Sequence, residues 1–182
     1  MLRVSSGGPL SLTDDSVRSR KYIMAEGERF VDNGDGTVTD TKYKLMWLKV
    51  DSYQKRGKWC SWKGAHKFVA RLNEKKFAGY EDWRVPKSQE CRNLYEHDSK
   101  NYDFDGDIVH IDYAFPEGCG STYWCIEESG INAMAYNFYS DRGYQIRKST
   151  KDESNMSCRP VRTAGIAKVQ GRTSATGRTR RE

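Results

Sequence analysis

Phe77-Ala78-Gly79-Tyr80-Glu81-Asp82-Trp83-Arg84-Val85-Pro86 joins a turn glycine, a Trp-Arg pair and a proline just ahead of a new helical pattern. Gly79 suits a backbone angle that side chains resist, Trp83 is a large apolar body, and Arg84 can satisfy carbonyls or a carboxylate. Pro86 ends the segment. No nucleophile or base stands beside the pair, so the stretch reads as a structural corner between two helices.

On its N-terminal side Ser61 can cap a helix in which Trp62, Ala65, Val69 and Leu72 recur at spacings of three and four, with Phe68 beside them and Lys or Arg on the other face. On its C-terminal side Ser88 can cap a shorter helix with Cys91, Leu94 and Tyr95 on one face. Upstream, Arg29-Phe30-Val31 and Thr37-Val38-Thr39 flank Asp32-Asn33-Gly34-Asp35-Gly36, a hairpin pattern whose Asn-Gly and Asp-Gly pairs supply positive φ. Leu45 to Leu48 adds a strand. Downstream the period changes to two: Met134, Tyr136 and Phe138 alternate with Ala133, Ala135, Asn137 and Tyr139. The chain then turns at Ser140-Asp141-Arg142-Gly143 into Tyr144 to Arg147. A last strand is expected over Met156 to Val161, near a sheet edge because of Pro160.

The chain has 182 residues, suited to one domain, and its 36% hydrophobic content is supplemented by 5 Trp, 11 Tyr and 6 Phe. Residues 1–27 and 163–182 have little to bury and read as flanks around a domain at 28–162. No apolar run could span a bilayer, and Met1 to Lys21 lacks the apolar core of a secretory signal. The expectation is a soluble, cytoplasmic protein. Five cysteines, Cys60, Cys91, Cys119, Cys125 and Cys158, form no C-x-x-C and read as reduced, buried residues, although Cys119 and Cys125 could bridge a loop under oxidising conditions. The formal charge is +6, of which the tail from Thr163 carries +4, with five Lys or Arg against Glu182. That leaves +2 elsewhere and no evident basic stripe, so a polyanion or nucleic-acid reading would rest on the tail.

The pieces in order resemble one family. Arg29 to Asp40, Leu45-Met46-Trp47, Leu72-Asn73, Gly79 to Pro86, Tyr123-Trp124 and Ser157-Cys158-Arg159-Pro160-Val161-Arg162 look like the Lcl C-terminal domain, named for a bacterial collagen-like adhesin. The resemblance covers about Glu28 to Arg162. It implies an α+β, C-type-lectin-like fold, with two helices packed on small antiparallel β-sheets, the chain ends together and a long functional loop region. Cys125 stands where the family often has Ser, and Cys91 where Leu is usual. Some C-type-lectin-like proteins are diversified by retroelements in their C-terminal half, and the polar, aromatic segment Glu127 to Arg147 is similar to such a surface.

The candidate ligand-binding residues are Trp124, Glu127, Asn132, Asn137, Tyr139, Asp141, Arg142, Tyr144 and Arg147, because Tyr and Asn give contact area and adaptable hydrogen bonds at low entropic cost. The expected ligand is a protein or a glycan. Asp103, Asp105 and Asp107, with Asp112 after them, resemble a calcium loop, but Gly106 falls at the fourth position and no Glu at the twelfth, so the segment reads as a solvated acidic loop. His66, His97 and His110 lack zinc spacing. No metal, cofactor or catalytic residue is assigned. A lectin-fold enzyme is the remaining alternative: the formylglycine-generating enzymes share that fold and use cysteines, but their motifs are not recognisable here.

Overall fold

The computed structural model describes residues 28–149 and 155–165; the N-terminal flank and most of the basic tail lie outside them. The order is β1 (Phe30–Asp32), β2 (Thr37–Asp40), β3 (Leu45–Leu48), α1 (Ser52–Arg56), α2 (Trp62–Glu74), a 3-10 turn (Phe77–Gly79), α3 (Ser88–Leu94), β4 (Asn101–Tyr102), β5 (Ile108–Val109), β6 (Thr122–Ser129), β7 (Asn132–Asn137), β8 (Arg142–Arg147), β9 (Met156–Ser157) and β10 (Val161–Thr163). One antiparallel sheet runs β1-β2-β3-β10, another four-stranded sheet runs β8-β7-β6-β9 with β6 and β9 parallel, and β4-β5 pair alone. Among the described residues this is a mixed α+β architecture with three α-helices rather than the two expected.

The hairpin forms as its turn residues predict: Phe30 pairs with Asp40 and Asp32 with Val38. Asp32 Oδ1 accepts from the Gly34 amide at 3.0 Å and Asp35 Oδ1 from the Thr37 amide at 3.2 Å, which accounts for the acidic turn without a ligand. Gly36 (φ +88°) is required twice over, since a Cβ there would lie 2.9 Å from the Phe77 ring.

Strand β3 explains why Leu45 to Leu48 is apolar without alternation. Leu45 and Trp47 enter one core with Phe30, Val38, Leu94, Phe115, Tyr123 and Phe138, while Met46 and Leu48 enter a second with α2, Trp83 and Trp124. A strand covered on both faces reads as a continuous apolar run. The same holds for β7, where Met134 and Tyr136 face the first core and Ala133 and Ala135 the second.

Helix α2 begins where Ser61 Oγ accepts from the Gly64 amide at 3.1 Å, and it buries Ala65, Phe68, Val69 and Leu72. Burial of each larger side chain is worth about 1.5–3 kcal/mol. Helix α1 went unread because five residues show no periodicity, yet Asp51-x-x-Gln54 is a capping-box pattern. The Gln54 amide donates to Asp51 Oδ1 and the Asp51 amide to Gln54 Oε1, both at 2.8 Å.

The decapeptide is a corner. Asn73 grips the Trp83 backbone at both its N–H and its C=O (2.8 and 2.9 Å), Trp83 Nε1 donates to the Phe77 carbonyl at 3.2 Å, and Gly79 has φ +85°. Arg84 forms an antiparallel bridge with Val161, and Asp82 accepts from Arg162 through both carboxylate oxygens (2.7 and 3.2 Å). The corner is thereby clamped to the last strand.

Ser88 does not cap α3. It is the first helical residue after Lys87; its amide and hydroxyl both donate to Glu127 at 3.0 Å, while Glu90 reaches back to the Lys87 amide at 2.8 Å. Arg84 adds two hydrogen bonds to Glu90, both at 2.6 Å. Burial alone would raise the Glu90 carboxyl, but the hydrogen bonds from Arg84 and the Lys87 backbone outweigh it and hold it below its usual value. A depressed carboxyl stabilises the fold fully above its unfolded pKa of ~4.3, and that contribution is lost as pH falls through the lower folded value. Glu90→Gln is therefore expected to cost about 1–2 kcal/mol at neutral pH and to flatten the loss of stability on the acid side. Melting curves between neutral and acid pH check this; parallel profiles for the two proteins would refute it.

The expected final strand is two strands. Met156–Ser157 lies beside β6, and after Cys158-Arg159-Pro160 the chain crosses to pair Val161 with Trp47. Thr163, read as the start of the tail, pairs with Leu45, and the Ala164 amide donates to the Lys44 carbonyl at 2.8 Å. Among the described residues no helix is long and apolar enough to cross a membrane.

Candidate recognition surface

The β7–β8 hairpin is the centre of the surface anticipated from sequence. Its loop is built by Asn137, whose Oδ1 accepts from the Tyr139 amide, the Ser140 amide and the Ser140 hydroxyl, each at 3.0 Å, while its Nδ2 donates to Thr122 Oγ1 at 3.1 Å. Asp141 takes the left-handed conformation (φ +53°) and accepts from the Tyr136 hydroxyl. The Tyr139 hydroxyl donates to Asp103 Oδ2, tying the hairpin to the acidic loop. Burial and that hydrogen bond push the Tyr139 phenol up to about 12, so it stays a protonated donor at neutral pH.

Strand β8 ends its sheet and is exposed at every position except Ile146, which is half-buried. Asn137 faces Arg142, Ala135 faces Tyr144 and Asn132 faces Arg147 across the β7–β8 ladder. Strand alternation thus sets Arg142 and Tyr144 on one face with Asn137, and Asn132 with Arg147 on the other. The nine candidates do not form one patch.

Two of them serve the fold. Trp124 is fully buried, because β6 runs between both cores, and its Nε1 donates to the Cys60 carbonyl at 2.7 Å; this corrects its reading as a ligand contact. Glu127 is half-buried and its carboxylate receives the Ser88 amide at the start of α3. Between Trp124 and Glu128 the β6–β7 register shifts, and the Ile126 amide turns to the Pro86 carbonyl at 2.8 Å. Of the exposed candidates, Tyr139 and Asp141 hold the loop, while Arg142 and Tyr144 stand on β8 beside it and Arg147 at the far end of that strand.

The acidic loop is not wholly solvated. Asp103 is 4% exposed, and its Oδ1 accepts from the Asp105 and Asp107 amides at 2.9 and 3.0 Å. Both carboxylate oxygens are thus engaged within the protein, and among the described residues no group of three His, Cys, Asp or Glu is arranged to hold a metal. The rings of His97 and His110 lie 6.0 Å apart, a proximity not legible in their spacing, while His66 packs on Trp62 at 4.2 Å. Burial lowers the pKa of His66, with Glu128 pulling the other way.

All five cysteines are free and buried. Cys125 lies 3.9 Å from Cys91, sulfur to sulfur, although 34 residues separate them in the chain. Burial pushes the thiols of Cys91 and Cys158 well up and that of Cys119 to about 11, which leaves them protonated rather than nucleophilic at neutral pH.

Sequence reasoning missed an open groove of about 610 Å³ bordered by Arg29, Asp32, Lys49, Asp112 and Tyr113. Tyr113 is 68% exposed at its rim. Lys49 pairs with Asp32 at 2.5 Å and Arg29 with Asp40 and Glu96, so the groove offers hydrogen bonding with little net charge. No local pattern announces it, because its walls come from segments distant in the chain.

A family model described as the Lcl C-terminal domain matches residues 36–162. No curated protein matches the chain.

Proposed function

Since the chain belongs to the Lcl C-terminal domain family, we propose that it is a non-enzymatic recognition domain of C-type-lectin-like fold that binds a protein or glycan ligand through the β7–β8 hairpin. The observation that carries this reading is the contrast between neighbouring strands. In β7, Ala133, Ala135 and Tyr136 are buried between two cores, whereas β8 displays Arg142 and Tyr144 on that rigid support. Functional side chains on a sheet edge held from behind lose little entropy on binding. The fold assignment is supported by β10 joining β3 in one sheet, which brings the two ends of the matched region together. The mixture of Tyr, Arg and Asn around the loop is also suited to diversification without loss of the scaffold.

Arg142→Ala with Tyr144→Ala is the decisive variant, since Tyr139, Asn137 and Asp141 hold the loop. Exposed Tyr and Arg anchors each contribute on the order of 1–2 kcal/mol or more to an interface, so the pair should weaken binding about 100-fold. Glycan-array binding and capture of proteins from source-cell extract would be compared for wild type and variant, with circular dichroism as the folding control. Unchanged binding by a folded variant would sink the hairpin as the site.

A further inference from the structure

Helix α2 carries a second surface, remote in sequence from the hairpin. Its inward face is taken up by the core, but Lys63, Lys67, Arg71 and the C-terminal cap residue Lys75 are all exposed. They recur every four residues. Four residues advance a helix by ~6 Å, so these cations make a slowly winding row about 18 Å long.

The row is not neutralised. Among the described residues, none of the four joins an ion pair, whereas the adjacent Lys76 pairs with Glu81 at 3.2 Å. Between Lys49 and Lys76 there are nine Lys or Arg against two acidic residues, and one of those, Asp51, is fully buried as the α1 cap. Each successive pair in the row is a like-charge i,i+4 pair, which weakens a helix rather than supporting it. The one acidic residue of α2, the exposed Glu74, stands three residues after Arg71, and among the described residues it forms no ion pair with any of the four, so the row keeps an excess of positive charge. The low overall charge of +2 outside the tail concealed it, since acidic residues elsewhere in the chain offset the total.

The geometry points to the outward face of α2 as a binding site for the phosphodiester backbone of a nucleic acid, held by Lys63, Lys67, Arg71 and Lys75. A slowly winding row of cations at a constant step fits a polymer whose anions are also evenly spaced along a helical strand. Three of the four are Lys, which act as point charges without the planar fork that reads a base edge, so the site positions a backbone without selecting a sequence.

The test uses the full chain and a labelled DNA duplex of about 20 base pairs, with affinity followed by anisotropy across ~50–200 mM salt. Four neutralised phosphates give a slope of log K against log salt near −3.6. Lys63→Glu with Lys67→Glu and Arg71→Glu should weaken binding at least about 100-fold at the lowest salt and remove most of the slope. The Gln triple variant at the same positions, which leaves the helix without repulsion of either sign, should lower the slope by about 3 units. It decides the matter if the Glu variant does not fold. Arg178→Gln with Arg180→Gln and Arg181→Gln should retain most of the affinity and slope. The proposal is overturned if the α2 variants bind as wild type does, if the tail variant alone abolishes binding, or if wild type binds heparin but not the duplex.

Discussion

Trp83→Ala is expected to lower the stability of the domain by about 3–5 kcal/mol, out of a total of ~5–15 for a domain of this kind. The side chain is 2% exposed and lies in the core beneath α2, edge-on to Phe77 and Tyr80 with centroids at 6.2 and 6.4 Å. Truncation leaves a cavity and also removes the indole N–H from the Phe77 carbonyl, which keeps only the Tyr80 amide at 3.1 Å. The effect extends beyond the site because the corner bonds outward, through Arg84 to Val161 and through Asp82 to Arg162. Trp83→Phe keeps a ring but not the donor and should lose about 1–2 kcal/mol less than Ala. Urea unfolding followed by far-ultraviolet circular dichroism measures both; a change within about 0.5 kcal/mol for Ala would remove the corner from any account of the fold.

Arg159→Ala should cost a similar amount, about 3–5 kcal/mol, through a different mechanism. The guanidinium is fully buried where the chain crosses from β9 to β10. It donates to the Leu48 carbonyl at 3.0 Å, to the Lys49 carbonyl, and twice to the Tyr123 hydroxyl at 3.1 and 3.0 Å, and it lies 4.7 Å over the Phe115 ring. Asp51, also fully buried, supplies the nearby negative charge while its own oxygens cap α1 and accept from the Gly120 amide at 2.7 Å and the Ser157 hydroxyl at 3.1 Å. Removing the cation takes a donor from two carbonyls and from the phenol, and takes the nearby positive charge from the buried Asp51 carboxylate. Arg159→Lys should restore only part of the loss, because an ammonium cannot span the same fork of acceptors. A change below about 1 kcal/mol for Ala, or full rescue by Lys, would show that the network does not hold the two sheets together.

Local patterns in the sequence determined the β1–β2 hairpin, the span and inward face of α2, and the corner at Phe77 to Pro86. In each, the decisive interactions connect residues close along the chain: Asp32 to Gly34, Ser61 to Gly64, Asn73 to Trp83. Family membership was legible for the same reason, as the motifs are runs of neighbours. Which aromatic residues face a ligand was not legible. Trp124 and Tyr144 look equally suited to contact, yet one is buried because β6 passes between two cores and the other is exposed because β8 ends its sheet. Burial depends on the order of strands, which no window of sequence contains. Glu127 capping α3 from 39 residues away, Arg159 reaching β3, and Cys91 meeting Cys125 are likewise products of chain crossing. The charge of α2 illustrates both levels: its four-residue step is written in the sequence, but only the packed structure decides that, among the described residues, Lys63, Lys67 and Arg71 form no ion pair.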